Sequence, residues 1–258
     1  MVDTKFQSDW KIHIENLCVR FGSKEVIKNT SASFSQNKIN SIIGPSGSGK
    51  TTLLRAINRL NDIEENCYTS GKLFIKLEDK WHNILSNYSS PVYLRRKIGM
   101  VFQHPNPLPT TIKRNITLAL KIITGLSRSE REERLINSLQ QVHLWDEVKD
   151  RLKKPALILS GGQQQRLCLA RTLALEPEII LLDEPTSSLD FKASKRIEQL
   201  LLELKQKYTL IVVSHSLRQT RRISDKVYVL SNGKIAQELS SIQIHDDQMF
   251  YKVAEDFF

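Results

Sequence analysis

Cysteine is scarce: Cys18, Cys67 and Cys168 are the only three in 258 residues. None has CxxC or CxxH spacing, which excludes a disulfide framework and a cysteine-based zinc site. Cys18 and Cys168 stand among apolar neighbours and read as small core residues. Long hydrophobic runs are missing too, since no stretch reaches the roughly 20 apolar residues that cross a bilayer. The opening segment MVDTKFQSDWKIHIE has no apolar block and carries Asp3, Asp9 and Glu15. No secretory leader is therefore expected, and the chain is expected to stay in the cytoplasm. There is no internal repeat, low-complexity tract or interdomain linker.

What is present is an ordinary globular composition, with 40% hydrophobic and 26% charged residues, in a chain long enough to bury a real core. Basic residues outnumber acidic ones, 38 to 28, for a net charge of +10. Such a balance suits a polyanionic ligand, an anionic membrane surface or nucleic acid. The charges are dispersed in short clusters such as Arg95-Arg96-Lys97, Lys153-Lys154 and Arg221-Arg222. With no arginine-rich tract or aromatic RNA-binding motif, nucleic acid is not an expected partner.

Apolar periodicity predicts strands within residues 10–43, a helix over Thr51–Leu60 and a small antiparallel hairpin at 69–85. Residues 104–176 have a helical texture, including an exposed amphipathic helix in SRSEREERLINSLQQVHL. Strands return at Ile179–Asp183, Leu210–Ser214 and Val227–Leu230, with a helix over Ala193–Lys207 and a hairpin turn at Asn232-Gly233. Strands alternating with helices predict an α/β fold with a mainly parallel sheet. The helical stretch is too long for one crossover and reads as an inserted subdomain.

The strongest local motif is Gly44-Pro45-Ser46-Gly47-Ser48-Gly49-Lys50-Thr51, a complete GxxxxGK[ST] between an apolar run and a helix. Its glycines let backbone N–H groups turn onto phosphate oxygens, and the helix behind adds its positive dipole end. Lys50 supplies a point charge to β- and γ-phosphates, the Thr51 hydroxyl suits Mg²⁺, and Thr52 adjoins the same nucleotide site. Asp183 ends the buried run Ile179–Leu182 and is the carboxylate expected in the metal shell. Glu184 follows it, placed to polarise a water for in-line attack. ATP and Mg²⁺ are thus the expected ligands. Leu159-Ser160-Gly161-Gly162-Gln163 then opens a helix, a second glycine-flexed N-terminus suited to an anion. One ATP does not need both sites from one chain. Two copies facing head to tail would each sandwich ATP between one P-loop and the partner's Ser160–Gln163.

LSGGQ between a P-loop and an LLDEP strand is similar to the signature of the ABC ATPases, and nearly the whole chain follows that pattern. The resemblance implies one ABC ATPase domain over 1–258. Its RecA-like core with antiparallel β region would span about 10–103 and 177–240, its inserted helical subdomain about 104–176, and its tail 241–258. It also implies roles for residues that taken singly are loop polars or a core aromatic. Phe21 occupies the position that stacks on adenine. Gln103 in VFQ matches the Q-loop glutamine that touches Mg²⁺ and senses the γ-phosphate. Asp190 in SSLD looks like the D-loop aspartate, and His215 in VVSHS like the switch histidine.

Within that family the chain is most similar to the PstB-like ATPases of phosphate importers, through TLLRAINRLND, KIGMVFQHPNPLPTTIKRNI, LSGGQQQRLCLAR and ELKQKYTLIVVSH. It departs from them at Phe191, where proline is usual, and in the tail DDQMFYKVAEDFF. The resemblance implies an ATP-hydrolysing subunit on the cytoplasmic face of the inner membrane, powering uptake of inorganic phosphate. Its implied partners are a second copy of itself, permease subunits near the Q-loop and, indirectly, a solute-binding protein. Another oxyanion, an amino acid, an exporter or a soluble non-transport ABC ATPase remain alternatives. The last would place a long heptad coiled coil between P-loop and signature, where only about 110 residues intervene here.

Overall fold

The computed structural model describes residues 6–86 and 90–257. The Met1–Lys5 part of the leader expectation, Asp3 included, lies outside the described residues. β1 (Trp10–Phe21) and β2 (Lys24–Ser35) largely alternate buried and more exposed side chains and pair antiparallel. β3 (Ile39–Ile43) is buried at all five positions, as a strand covered on both faces must be. Gly44–Gly49 then turn into α1 (Lys50–Ile57). This helix stops short of the expected Leu60: Arg59 takes a left-handed φ of 56° and a 3-10 turn runs over Leu60–Ile63.

The expected hairpin is β4 (Cys67–Leu77) with β5 (Lys80–Asn83), turned at Glu78-Asp79, both at positive φ. A helix the sequence reading did not foresee, α2 (Pro91–Lys97), starts from the Ser90 cap with proline in its first turn. It leads into β6 (Ile98–Val101). Helix was expected from 104, yet none begins until Thr111 caps α3 (Ile112–Ile123). Pro105, Pro107 and Pro109 explain the delay, since proline donates no N–H to a helical ladder. α4 (Arg128–Gln141) is the exposed amphipathic helix, opened by a Ser127/Glu130 capping box. α5 (Trp145–Val148) and α6 (Gly161–Leu173) complete this helical stretch.

The remaining elements alternate: β7 (Ile179–Asp183), α7 (Phe191–Leu204), β8 (Thr209–Val213), α8 (Leu217–Ile223), β9 (Lys226–Ser231) and β10 (Lys234–Leu239). Asn232 and Gly233, at φ 50° and 80°, turn β9 into β10. α9 (Ser241–His245) and α10 (Asp247–Phe257) close the described chain, two helices within the tail.

The strands form two sheets. One is antiparallel, in the order β2-β1-β4-β5; the other runs β10-β9-β3-β8-β7-β6 and is parallel except for β10. Period-two alternation divides each central strand between two cores. Ile180, Leu182, Leu210 and Val212 pack with residues of α3, α4, α6 and α7, whereas Ile179, Leu181, Ile211 and Val213 pack with α1 and the antiparallel sheet. Each such side chain contributes about 1.5–3 kcal/mol of transfer free energy, so these short strands are fixed by burial on both sides. Ile244 and Phe250 of the tail cover Val227 and Val229. No described helix is long and apolar enough to cross a membrane.

Candidate functional site

Four neighbouring parallel strands, β3, β8, β7 and β6, deliver their carboxyl ends to one edge of the sheet. Gly44–Lys50 follows β3, His215 follows β8, Asp183 and Glu184 end β7, and Gln103 follows β6. Crevices at strand carboxyl ends are where open parallel sheets bind ligands. Here the ends enclose a cleft of about 720 Å³ lined by Val26, Ser46, Gly47, Gly49, Lys50, Thr51, Thr52, Gln103, Glu184 and His215.

The loop after β3 depends on backbone freedom at two points. Gly44 at φ 150° could carry no Cβ, which would lie 2.0 Å from the Leu230 carbonyl oxygen, and Gly49 sits at φ 103° with Ile27 beside it. The loop folds back on Lys50, whose ammonium donates to the carbonyls of Gly44 (2.8 Å) and Pro45 (2.9 Å). Burial pulls the Lys50 pKa below its ordinary value, against the opposing attraction of Glu184 and Asp183. Thr51 Oγ1 donates to Asp183 Oδ1 at 3.0 Å. Burial pushes Asp183 above the usual range, the Thr51 bond opposes this, and the charge of Glu184 adds to it. Ser48 Oγ is buried without a hydrogen-bond partner, and α1 begins with no side-chain cap. The cradle therefore holds a desolvated cation, an orphaned hydroxyl and an uncapped helix N-terminus, a set of groups suited to a phosphate anion.

Opposite the loop, Glu184 Oε2 accepts from Gln103 Nε2 (3.1 Å) and lies 2.9 Å from His215 Nδ1. Glu184 takes a left-handed φ of 45°. Its N–H donates to the Val213 carbonyl, and Ser187 Oγ donates to its own carbonyl. A non-glycine residue held there stores strain of order 1 kcal/mol, a feature that concentrates at functional sites. Glu184 thus sets a carboxyl group, chemically able to accept a proton, opposite the cradle.

Ser160, Gly162, Gln163 and Asp190 line a second, separate cleft of about 180 Å³, with Glu147, Arg166, Lys192, Ala193 and Arg196. The fold does not bring this group to the first cleft. Ser160 caps α6 in a reciprocal box: Ser160 Oγ accepts from Gln163 N, and Gln163 Oε1 accepts from Ser160 N at 3.0 Å. Gln163 Nε2 donates to Glu147 Oε2 at 2.7 Å, so both ends of its amide are engaged within the chain. Gly161 faces Leu189 at ordinary contact distance, and Gly162 lies against Ala193. Asp190 caps α7 through Ala193 N. Phe21, which the resemblance assigned to the adenine, is half-buried against the core at the end of β1 and is not among the residues lining the first cleft.

Sequence reasoning missed the fastenings between these parts. Arg171 of α6 donates to both Asn106 oxygens, Gln165 donates to the Phe102 carbonyl, and Asn115 brackets Leu108. The segment after Gln103 is thereby tied to the helix that carries Ser160–Gln163. Gln219 bridges Ser214 and Thr186, joining the loops on either side of Glu184 and His215. Most run from an ordinary polar side chain to a partner far along the chain, although Asn115–Leu108 and Ser214–Gln219 are only seven and five residues apart.

A family model described as ABC transporter matches residues 27–187. The phosphate import ATP-binding protein PstB 2 of Bacillus licheniformis is 46% identical over 226 residues, covering 88% of this chain and 81% of that protein. Among solved structures, the dimeric post-hydrolysis ATP-binding cassette MJ0796 bound to ADP and Pi is 31% identical. Its TM-score is 0.74, over 89% of this chain and 98% of that one. For cbiO1 from Clostridium perfringens, part of the ABC transporter complex cbiONQ, the TM-score is 0.79 over 96% of this chain and 95% of that one. At 23% identity that likeness speaks for the fold. With the family model spanning most of the chain, the relative matching nearly all of it and the strand-end cleft in place, the chain belongs to the ABC transporter family.

Proposed function

We propose that the chain is the ATP-hydrolysing subunit of an importer of inorganic phosphate. The observation that carries the chemistry is the convergence of Gln103, Glu184 and His215 on the cleft floored by Gly47–Thr52. The solute rests on the 46% identity to a phosphate import ATP-binding protein.

ATP would lay its phosphates in the cradle, where Lys50 exchanges its loop carbonyls for β- and γ-phosphate oxygens. The adenine would lie toward Val26 and the end of β1, with Phe21 as its stacking residue. Thr51 and Asp183 are neighbouring hard oxygen donors, and the orphaned Ser48 hydroxyl beneath the loop adds to a site short of ligand. They fit Mg²⁺, which takes few protein ligands and fills its shell with phosphate and water; Gln103 would adjoin it. Bound there, Mg²⁺ would neutralise charge on the phosphate oxygens. Glu184 orients the attacking water and accepts its proton, while His215 is held at the γ-phosphate side by its contact with Glu184.

Ser160–Gln163 and Asp190 line a cleft of their own, which supports a dimer in which these residues of one copy close over ATP held by the other. The dimeric MJ0796 cassette is a relative of the same form. Residues 104–176 would be the arm carrying the signature. The proline-rich segment after Gln103, fastened by Asn115 and Arg171, is the surface for permease subunits at the cytoplasmic face of the inner membrane. A solute-binding protein would act through that permease.

Deleting the gene tests the whole reading. High-affinity phosphate uptake at low external phosphate should disappear, return with the wild-type gene and fail to return with Glu184→Gln. Unchanged phosphate uptake, with collapse of uptake of another oxyanion or an amino acid, would assign a different solute.

A further inference from the structure

Glu147 lies in the four-residue helix α5, sixteen residues before Gln163 and within no recognised motif. Its two oxygens nevertheless serve two residues of α6. Oε2 accepts from Gln163 Nε2 at 2.7 Å, and Oε1 pairs with Arg166 Nη1 at 2.8 Å, with Arg196 of α7 at 4.0 Å. The Arg166 side chain is only 6% exposed and also donates to the His143 carbonyl. Burial alone would raise the Glu147 pKa, but the bonds from Arg166 and Gln163 hold it below the usual carboxylate range.

We propose that Glu147 is a positioning residue of the composite nucleotide site, fixing through Gln163 the Ser160 hydroxyl and first turn of α6 that receive ATP bound to a second copy. The proposal rests on the dimer described under Proposed function. A free glutamine amide can rotate or exchange its two ends. With Nε2 pinned to a carboxylate, only Oε1 can face Ser160 N, and that is the bond observed. The capping box then holds Ser160 in an extended conformation, φ −62° and ψ 159°, leaving its hydroxyl hydrogen free for an incoming anion. Donors that do not have to reorganise when charge arrives bind it more tightly. Glu147 itself touches no part of the P-loop cleft. Its loss should therefore weaken closure of the dimer and spare nucleotide binding by the single chain.

The test uses the full chain carrying Glu184→Gln, in which hydrolysis should be slow enough for the ATP-bound state to accumulate. Light scattering against MgATP concentration reads the dimer, and a fluorescent ATP analogue at low protein concentration reads the monomer. Adding Glu147→Ala should raise the ATP concentration for half-dimerisation about tenfold, as loss of one charge-assisted hydrogen bond implies. Monomer affinity should stay within about twofold. Glu147→Gln offers one acceptor to two donors, Gln163 Nε2 and Arg166 Nη1, so it should recover only part of the loss; full recovery would show that pinning by a carboxylate is not needed and would overturn the proposal. An unchanged dimerisation midpoint in Glu147→Ala overturns the proposal and leaves the dimer standing, as does a parallel loss of monomer affinity. A Glu184→Gln parent that stays monomeric in saturating MgATP overturns the dimer and the proposal together.

Discussion

Two helix N-termini in this molecule face anion-sized clefts, and they are finished in opposite ways. α1 begins without a side-chain cap, over a buried serine hydroxyl that has no partner. Beside it, burial disfavours the charged forms of both Lys50 and Asp183. α6 is closed by a reciprocal capping box, and its supporting carboxylate Glu147 is held in the ionised form. The first site is under electrostatic tension that a phosphate and a cation would relieve. The second is already satisfied and presents a fixed surface. A ligand bound at the first should gain most of its free energy there, and the second should contribute chiefly through preorganisation.

Removing the charge at the tense site gives the largest expected effect. Lys50→Ala deletes the fixed cation of the cradle, a loss of several kcal/mol in a dehydrated cleft, so ATP turnover should fall at least ~100-fold. The fold should survive, because among the described residues Lys50 donates only to the carbonyls of its own loop. Phosphate release together with circular dichroism reads both, and near-normal turnover would remove Lys50 from the mechanism. Glu184→Gln comes next. The amide oxygen can take the place of Oε2 between Gln103 and His215, but it cannot serve as a base, so turnover should drop by roughly 10²–10⁴. ATP should still bind, and ATP-bound dimers should accumulate. A variant that hydrolyses normally would show that the carboxylate is not the base.

The quiet site answers to packing instead. A Cβ on Gly162 would lie 2.9 Å from the Ala193 methyl, whereas one on Gly161 meets only Leu189 at 3.6 Å. Gly162→Ala must push α6 from α7 and should cost roughly 1–3 kcal/mol. In a chain of this size each kcal/mol lowers Tm by roughly 2–4 °C. Gly161→Ala should melt close to wild type. Equal melting temperatures for the two variants would show that α6 is not locked against α7.

The contrast between the sites also sorts what could be read in the sequence. The P-loop, Asp183 and Glu184 were legible because each is a short string at the end of an apolar run, whereas Gln103 and His215 were picked out only by the family resemblance, and β6, the strand before Gln103, was not foreseen. The alternation that sends Ile179 and Ile180 into different cores follows from the same runs. The bonds of Glu147 to Gln163, Arg171 to Asn106 and Asn115 to Leu108 were not legible. Each starts from an unremarkable polar side chain whose partner is decided by packing. Phe21 shows a related limit, since a position in a pattern does not say which way a half-buried ring turns. Helix ends went astray where a left-handed residue, Arg59, or a run of prolines overrode the apolar period.

The smallest expected effect is a pH dependence that separates the two carboxylates. Burial holds Asp183 above the ordinary range, so the unfolded chain gives up that proton first. As pH rises from about 4, the unfolded value, toward the raised folded value, unfolding releases a proton and this stability contribution is lost. Glu147 has the opposite sign. Its folded value, which burial alone would raise, is depressed by the bonds from Arg166 and Gln163, so its contribution is present above the ordinary carboxylate value and lost as pH falls through the folded one. A melting curve of the nucleotide-free protein therefore mixes both trends, and the difference between wild type and Asp183→Asn isolates the first. Asparagine can still accept from Thr51 but carries no charge to desolvate, so the variant should gain on wild type as pH rises through that window. Saturating MgATP should shrink the gain, because the ligand would supply the cation that ionised Asp183 lacks. A difference that is flat in pH without nucleotide would mean that the P-loop cleft carries no more electrostatic tension than the signature cleft, and the contrast between the two helix ends would reduce to shape alone.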